Sequence, residues 1–285
     1  MEIRTETSCV LPILGCLQAA KDYLKTPNAW NTVNARQKDF LSSHEQFIDR
    51  NLLLSVRELM ARADKDFRVI NAWLKSQGFD IQLDVVDENN SFAVASILKV
   101  LVEWLEVGKI TSLLSYGQKG EFSAVKLNKG VRVFENLTLH KHPIARIETK
   151  SGDKVSMTII DKNPVSLLST IRMLNMVTRI SRDYDGVTFP MISLDERPDI
   201  SWICGMTLDG NYISQALQQT KFRMNEIGAK VESAAAMSVS KGISINPPPM
   251  VIDRPFLLWI ERDGLSFPIF SAVLAEDCWK KPESL

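Results

Sequence analysis

Apolar and polar positions divide the chain into a helical first third and a strand-rich remainder. Val10 to Leu24 places apolar residues at helical spacing until Pro27 ends the run. Phe40 to Lys65 has a similar period, although Leu52-Leu53-Leu54 and Leu59-Met60 also fit a buried strand. The next helix is expected from Asp66 to Gln77, with Gly78 as its stop. Phe79 to Val86 alternates apolar and polar, as a half-buried strand does. The clearest helical face carries Val94, Ile97, Leu98, Leu101, Trp104 and Leu105, with Ser91 to cap its start and Gly108 its end.

After residue 110, short stretches rich in Val and Ile alternate with turn residues. Ile144 to Glu148 and Lys154 to Ile160 form a hairpin whose tip is Ser151-Gly152-Asp153. Ser166 to Ile180 returns to helix, Gly186 to Leu194 reads as strand, and Ile200 to Met206 as a short helical turn. Tyr212 to Met224 reads as a long strand. Phe256 to Ile260 and Phe267 to Leu274 are apolar strands separated by Arg262-Asp263-Gly264. Pro247-Pro248-Pro249 looks like a linker, but the two strands after it are marginal alone and must pair into the main body. One mixed α+β domain spanning residues 1–285 is the expectation, with helices first and sheets later.

Composition adds exclusions. Thirty-four Lys and Arg balance 34 Asp and Glu, so nothing suggests a sequence-independent grip on nucleic acid. No apolar run reaches the ~20 residues of a membrane helix, and no basic block suits a membrane surface. Glu2 and Glu6 spoil the positive start of a signal peptide, which favours a cytoplasmic or nucleocytoplasmic place over secretion. Asn136-Leu137-Thr138 is a glycan acceptor only if the chain meets the secretory pathway. Cys9, Cys16, Cys204 and Cys278 lack metal-ligand spacing and read as reduced thiols. His140-Lys141-His142 is a metal pair or a solvated loop before Pro143. No GxGxxG after a strand, GxxxxGK[ST], HExxH or GxSxG occurs, so neither cofactor nor catalytic residue is expected.

An ordered series of motifs near the end resembles the serpin superfamily. Lys221-Phe-Arg-Met-Asn-Glu-Ile-Gly228 is similar to the strand that leads into that family's hinge. Ser233-Ala-Ala-Ala236 is similar to its alanine-rich hinge. Asp253-Arg-Pro-Phe-Leu-Leu-Trp-Ile260 resembles a late strand, and Ser266-Phe-Pro-Ile-Phe-Ser-Ala-Val273 stands where the last one should be. Upstream, Trp104-Leu-Glu-Val-Gly-Lys-Ile110 looks like the end of a family helix, Ile81 to Asp87 like the strand before it, and Lys119 to Phe122 like a remnant of "F-K-G-x-W". Gly152 to Met157 and Val187 to Pro190 match two further motifs. The order holds across roughly residues 50 to 275. The chain is shorter than the family's usual members, with cuts after Gly108 and between Met206 and Tyr212.

The resemblance implies an α+β serpin-like fold with a reactive-centre loop at about 228–250. It implies a suicide-substrate inhibitor of a serine or cysteine protease: the loop is cut, and its N-terminal part inserts into a sheet as an extra strand. The partner implied is therefore that target protease. The alternative is a serpin-fold protein that does not inhibit and acts by binding a partner protein. The implied hinge comprises Glu226, Gly228, Ala229, Lys230, Val231, Glu232, Ser233, Ala234, Ala235 and Ala236. In an inserted strand, Ala229, Val231, Ser233 and Ala235 would share one face, and Lys230 and Glu232 the other. Counting forward from Gly228 puts the reactive bond between Gly242 and Ile243. Counting back from Pro255 puts it after Ser244, and Lys241 beside both would suit a trypsin-like protease.

Overall fold

Apolar runs that cannot be covered from one side only become central strands, and the end of the chain has two of them, Phe256–Glu261 and Phe270–Leu274. The computed structural model describes residues 3–8, 10–44, 56–85, 92–100, 102–116, 120–136, 140–176, 178–229 and 247–283. In chain order the elements begin β1 (Glu6–Ser8), α1 (Val10–Leu24), α2 (Ala35–His44), β2 (Leu59–Asp64), α3 (Phe67–Ser76), β3 (Ala93–Leu98) and β4 (Val102–Glu103). There follow β5 (Lys109–Leu114), β6 (Glu121–Leu127), β7 (Val131–Asn136), β8 (Ile144–Glu148), β9 (Lys154–Ile159) and α4 (Leu167–Met176). The series continues with β10 (Thr178–Ile180), β11 (Val187–Pro190), β12 (Ile192–Glu196), β13 (Thr207–Leu208), β14 (Asn211–Tyr212) and β15 (Thr220–Met224). It closes with β16 (Gly228–Ala229), β17 (Met250–Val251), β18 (Phe256–Glu261) and β19 (Phe270–Leu274).

The elements fall into two compact units. One holds residues 1–8, 101–195 and 221–285. Its main sheet has seven strands in the order β1-β19-β18-β9-β8-β7-β10, all antiparallel. Every residue of β19, and all of β18 except Glu261, is buried. Both faces are covered there, so these strands read as continuous apolar runs instead of alternating ones. Helix α4 lies on one face, packing Leu167, Ile171 and Leu174 against Ile144, Leu257, Trp259 and Val273. A second sheet runs β17-β11-β6-β5, with β17 parallel to β11 and the other pairs antiparallel.

The other unit holds residues 9–100 and 196–220. Asp66 caps α3 by accepting from Arg68 N–H at 2.9 Å, and Phe67, Ile70 and Leu74 pack on Ala93, Ala95 and Ile97 of β3. Helix α1 supplies Ile13 and Leu17 to a second cluster with Ile200, Ile203 and Met206. Cys16 is half-buried on this helix, and desolvation pushes its thiol up to about 12, so it stays protonated.

Several expectations hold: α1, α3, the β8–β9 hairpin, the turn at Ser201–Ile203 and the β18–β19 pair. Others change. The helix expected over residues 94–105 is β3 followed by β4. Its apolar residues fit a 3.6 period, but burial alternates along β3, and Ala93, Ala95 and Ile97 form the inner face. Ser91 lies outside the described residues. The helix expected from Phe40 to Lys65 is in its described parts α2 and then β2, the strand alternative that Leu59-Met60 permitted. The long strand over residues 212–224 shrinks to β15, and the helix over 166–180 stops at Met176. Asn136 is buried with Nδ2 donating to Leu174 O at 3.3 Å, which leaves no room for a glycan. His140 is not in a solvated loop: it is partly buried, its Nε2 lies 2.8 Å from Thr158 Oγ1, and burial pulls its pKa below the usual imidazole range.

Candidate functional site

Strand β15 delivers the chain to the site. Thr220, Phe222 and Met224 are buried and the two residues between them exposed, and Phe222 stacks on Phe270 with ring centroids 4.8 Å apart. The chain then reverses. Asn225 N–H donates to Gly228 O at 2.9 Å, and Ile227 N–H donates to Asn225 Oδ1 at 2.9 Å. An asparagine side chain bonding two residues on is a standard way to close such a turn. The reversal aligns β16 antiparallel to β4, with Gly228 opposite Glu103 and Ala229 opposite Val102.

Residues 104–108 hold the turn by three successive carbonyls. Trp104 indole Nε1 donates to Asn225 O at 2.9 Å, Gly108 N–H to Glu226 O at 2.7 Å, and Trp104 N–H to Ile227 O at 3.1 Å. Trp104 is 1% exposed and meets Phe189 edge to face at 5.9 Å. Gly108 is not the helix cap expected of it. A Cβ there would lie 2.3 Å from Val125 Cγ1, so only glycine permits the approach. Glu226 contributes its carbonyl, while its Oε2 is buried without a hydrogen-bond partner among the described residues.

Gly228 has φ +151°, and a Cβ on it would lie 2.3 Å from Val102 O. Replacing Gly228 by alanine is therefore expected to break the β16–β4 pairing, since the obstacle is the backbone of Val102 and Glu103, which cannot swing aside as a side chain can. Amide hydrogen exchange checks this: protection of Trp104 and Ala229 should fall at least tenfold in the variant. Unchanged protection would show that the turn absorbs a side chain.

The chain is tethered again at the far end. Asp185 N–H donates to Pro248 O at 3.0 Å, and β17 then runs parallel to β11 with Met250 opposite Val187. Tyr116 N–H donates to Asp253 O at 2.7 Å. The Arg254 guanidinium lies 3.8 Å over the Tyr116 ring and is bound to Asp253 Oδ1 at 2.9 Å; that carboxylate raises its pKa above the ordinary value.

Of the residues expected to form the hinge, Glu226, Gly228 and the backbone of Ala229 are thus placed. Lys230, Val231, Glu232, Ser233, Ala234, Ala235 and Ala236 lie outside the described residues, as do the reactive-bond candidates Lys241, Gly242, Ile243 and Ser244. The anchors Trp104, Gly108 and Asn225 were not singled out as functional. The signal lies in the Trp104 to Ile110 motif, whose local pattern fits a helix end equally well. Among the described residues no group of three or more His, Cys, Asp or Glu could hold a metal ion.

No protein-family model matches the sequence, and no curated protein does. Solved structures match along nearly the whole chain. Serpin48 of the insect Tenebrio molitor is 13% identical with a TM-score of 0.59, over 96% of this chain and 92% of that one. Human kallistatin is 10% identical with a TM-score of 0.62, over 98% and 92%. Human thyroxine-binding globulin with its hormone is 12% identical with a TM-score of 0.57, over 93% and 98%. Likeness at this identity speaks to architecture, and together with the motifs from Lys221 to Ile260 it leads to one statement: the chain has the serpin fold.

Proposed function

We propose that the chain is a protease inhibitor of the serpin kind, with the segment between Ala229 and Pro247 as bait. The observation that carries this reading is the reversal at Asn225–Gly228. It turns the chain back antiparallel to β4, which is the direction an inserting strand must take. Two rungs of such a strand already exist at Gly228 and Ala229. After cleavage, each further residue would pair one position N-terminal to Val102, releasing strain held in the intact loop. The target is a serine or cysteine protease that attacks near Lys241 to Ser244. Among the similar structures, mouse protein-Z dependent protease inhibitor carries that activity in its name.

A second reading has an observation of its own. β4 has only two residues, so the described ladder gives an inserting strand little to build on. A protein of this fold that binds a partner without trapping it would need no more, and thyroxine-binding globulin shows that the fold can hold a ligand.

The experiment is incubation with trypsin-like, elastase-like and papain-like proteases. Inhibition predicts a complex that survives boiling in detergent, a cut mapped by mass between residues 240 and 245, and a higher thermal midpoint for the cleaved chain. Cutting there with neither complex nor stabilisation would overturn the inhibitor reading and leave the binding one.

A further inference from the structure

A strand was expected from Phe79 to Val86; Val86 lies outside the described residues, and residues 79–85 join no strand ladder. Phe79, Ile81 and Leu83 do pack toward the core, so the alternation is real. Side-chain amides replace the neighbouring strands. On one edge, Asn71 Oδ1 accepts from Leu83 N–H at 2.9 Å, and Asn71 Nδ2 donates to Leu83 O at 2.8 Å. On the other, Gln215 Oε1 accepts from Asp84 N–H at 2.9 Å, and Gln215 Nε2 donates to Asp84 O at 3.0 Å. Gln219 Oε1 accepts from Asp80 N–H at 3.0 Å. The paired contacts at Leu83 and Asp84 copy the two-bond exchange of an antiparallel ladder.

In an extended chain the peptide groups of alternate residues face the same edge. The backbone of Gln82 therefore faces the way those of Asp80 and Asp84 do. Its N–H and C=O have no partner among the described residues. Midway between Gln215 and Gln219 stands Leu217, which is 49% exposed and has no amide to offer. A cavity of about 490 Å³ opens between Asp80–Gln82 and Ala216–Gln218.

We propose that this edge binds an extended peptide segment of a partner protein. An anion would satisfy the Gln82 N–H but meet its carbonyl and the carboxylates of Asp80 and Asp199, which line the cavity. A cation would meet the N–H and Arg197, which is paired to Asp80 at 3.0 Å. A peptide group offers an acceptor and a donor side by side, which is what the Gln82 N–H and C=O require and what strand addition supplies. The peptide pairs with Gln82, sets an apolar side chain on Leu217, and competes with the two glutamine amides for Asp80 and Asp84. The proposal stands apart from the bait loop and does not depend on it.

The probe is the capped peptide acetyl-Thr-Val-Thr-Val-Thr-amide, titrated at millimolar concentration into the intact chain and followed by backbone amide NMR shifts. The Gln82 amide should move most, with Asp80 and Asp84 following. Methylating the peptide's central nitrogen should weaken binding at least tenfold. Leu217→Gln puts a third amide opposite Gln82 and should weaken binding at least tenfold without lowering the thermal midpoint. Unmoved signals at these three residues, or equal binding of the methylated peptide, would overturn the proposal. The methylation arm uses the unaltered chain, so it decides even where the variant folds poorly.

Discussion

Replacing Arg262 by alanine is expected to cost about 3–5 kcal/mol of folding stability, because it strands a buried carboxylate. Asp153, at the tip of the β8–β9 hairpin, is 1% exposed. Arg262, in the turn between β18 and β19, grips it at two points, Nε to Oδ1 at 2.7 Å and a terminal nitrogen to Oδ2 at 2.9 Å. Ser151 Oγ adds a donor at 3.1 Å, and the Asp153 carbonyl accepts from Thr149 N–H and Oγ1 at 3.1 and 2.7 Å. The pair therefore ties two turns at one end of the seven-stranded sheet. The two partners are unequal: the Arg262 side chain is 23% exposed and can turn to water, while Asp153 cannot. Asp153→Ala should thus cost less than Arg262→Ala, and the double variant should recover part of the loss. Denaturant midpoints of the four proteins check this. Equal costs for the two single variants would refute the asymmetry.

The other large effect is expected at Trp104. Truncation to alanine removes a buried indole, worth about 3–5 kcal/mol in a packed core. It also leaves Asn225 O without its donor and opens the edge contact with Phe189. The backbone bond from Trp104 to Ile227 remains possible, but the turn loses the side chain that positions it. Phenylalanine would keep most of the packing and lose the donor alone, at about 1–3 kcal/mol. Hydrogen exchange separates the local effect from the global one. Amides from Asn225 to Ala229 should lose protection in both variants, while those of β18 should change only with overall stability. Unaltered exchange in the turn would mean that Trp104 is core filler and no anchor.

How much of this was legible depended on where the deciding contact lies. The β8–β9 hairpin could be read because its period and its Ser-Gly-Asp tip are both local. β18 could be read because it is apolar on both faces and flanked by turn residues. β3 could not. Val94, Ile97, Leu98 and Leu101 satisfy a helical period, whereas the strand's inner face is Ala93, Ala95 and Ile97, two of them alanines too small to announce it. The decision comes from Leu59 to Asp64, which pair with β3 along its whole length. The same holds at the site. Gly228 and Glu226 were found from a motif, but the grip of Trp104 and Gly108 on residues 225–227 spans more than a hundred positions and leaves no local trace.

The seven-stranded sheet sets a schedule for synthesis. Strands β8 and β9 leave the ribosome long before β18, which pairs with β9 from Phe256 to Glu261. β1 emerges first of all and finds its neighbour β19 only when residues 271–273 appear. Until then, β9 offers a bare apolar edge and β1 has nothing to zip onto. Such delayed, distant pairing folds slowly and leaves the nascent chain sticky. Crowded translation should therefore favour clumping through β9, and a chaperone that shields that edge until the final strands arrive should raise the soluble yield.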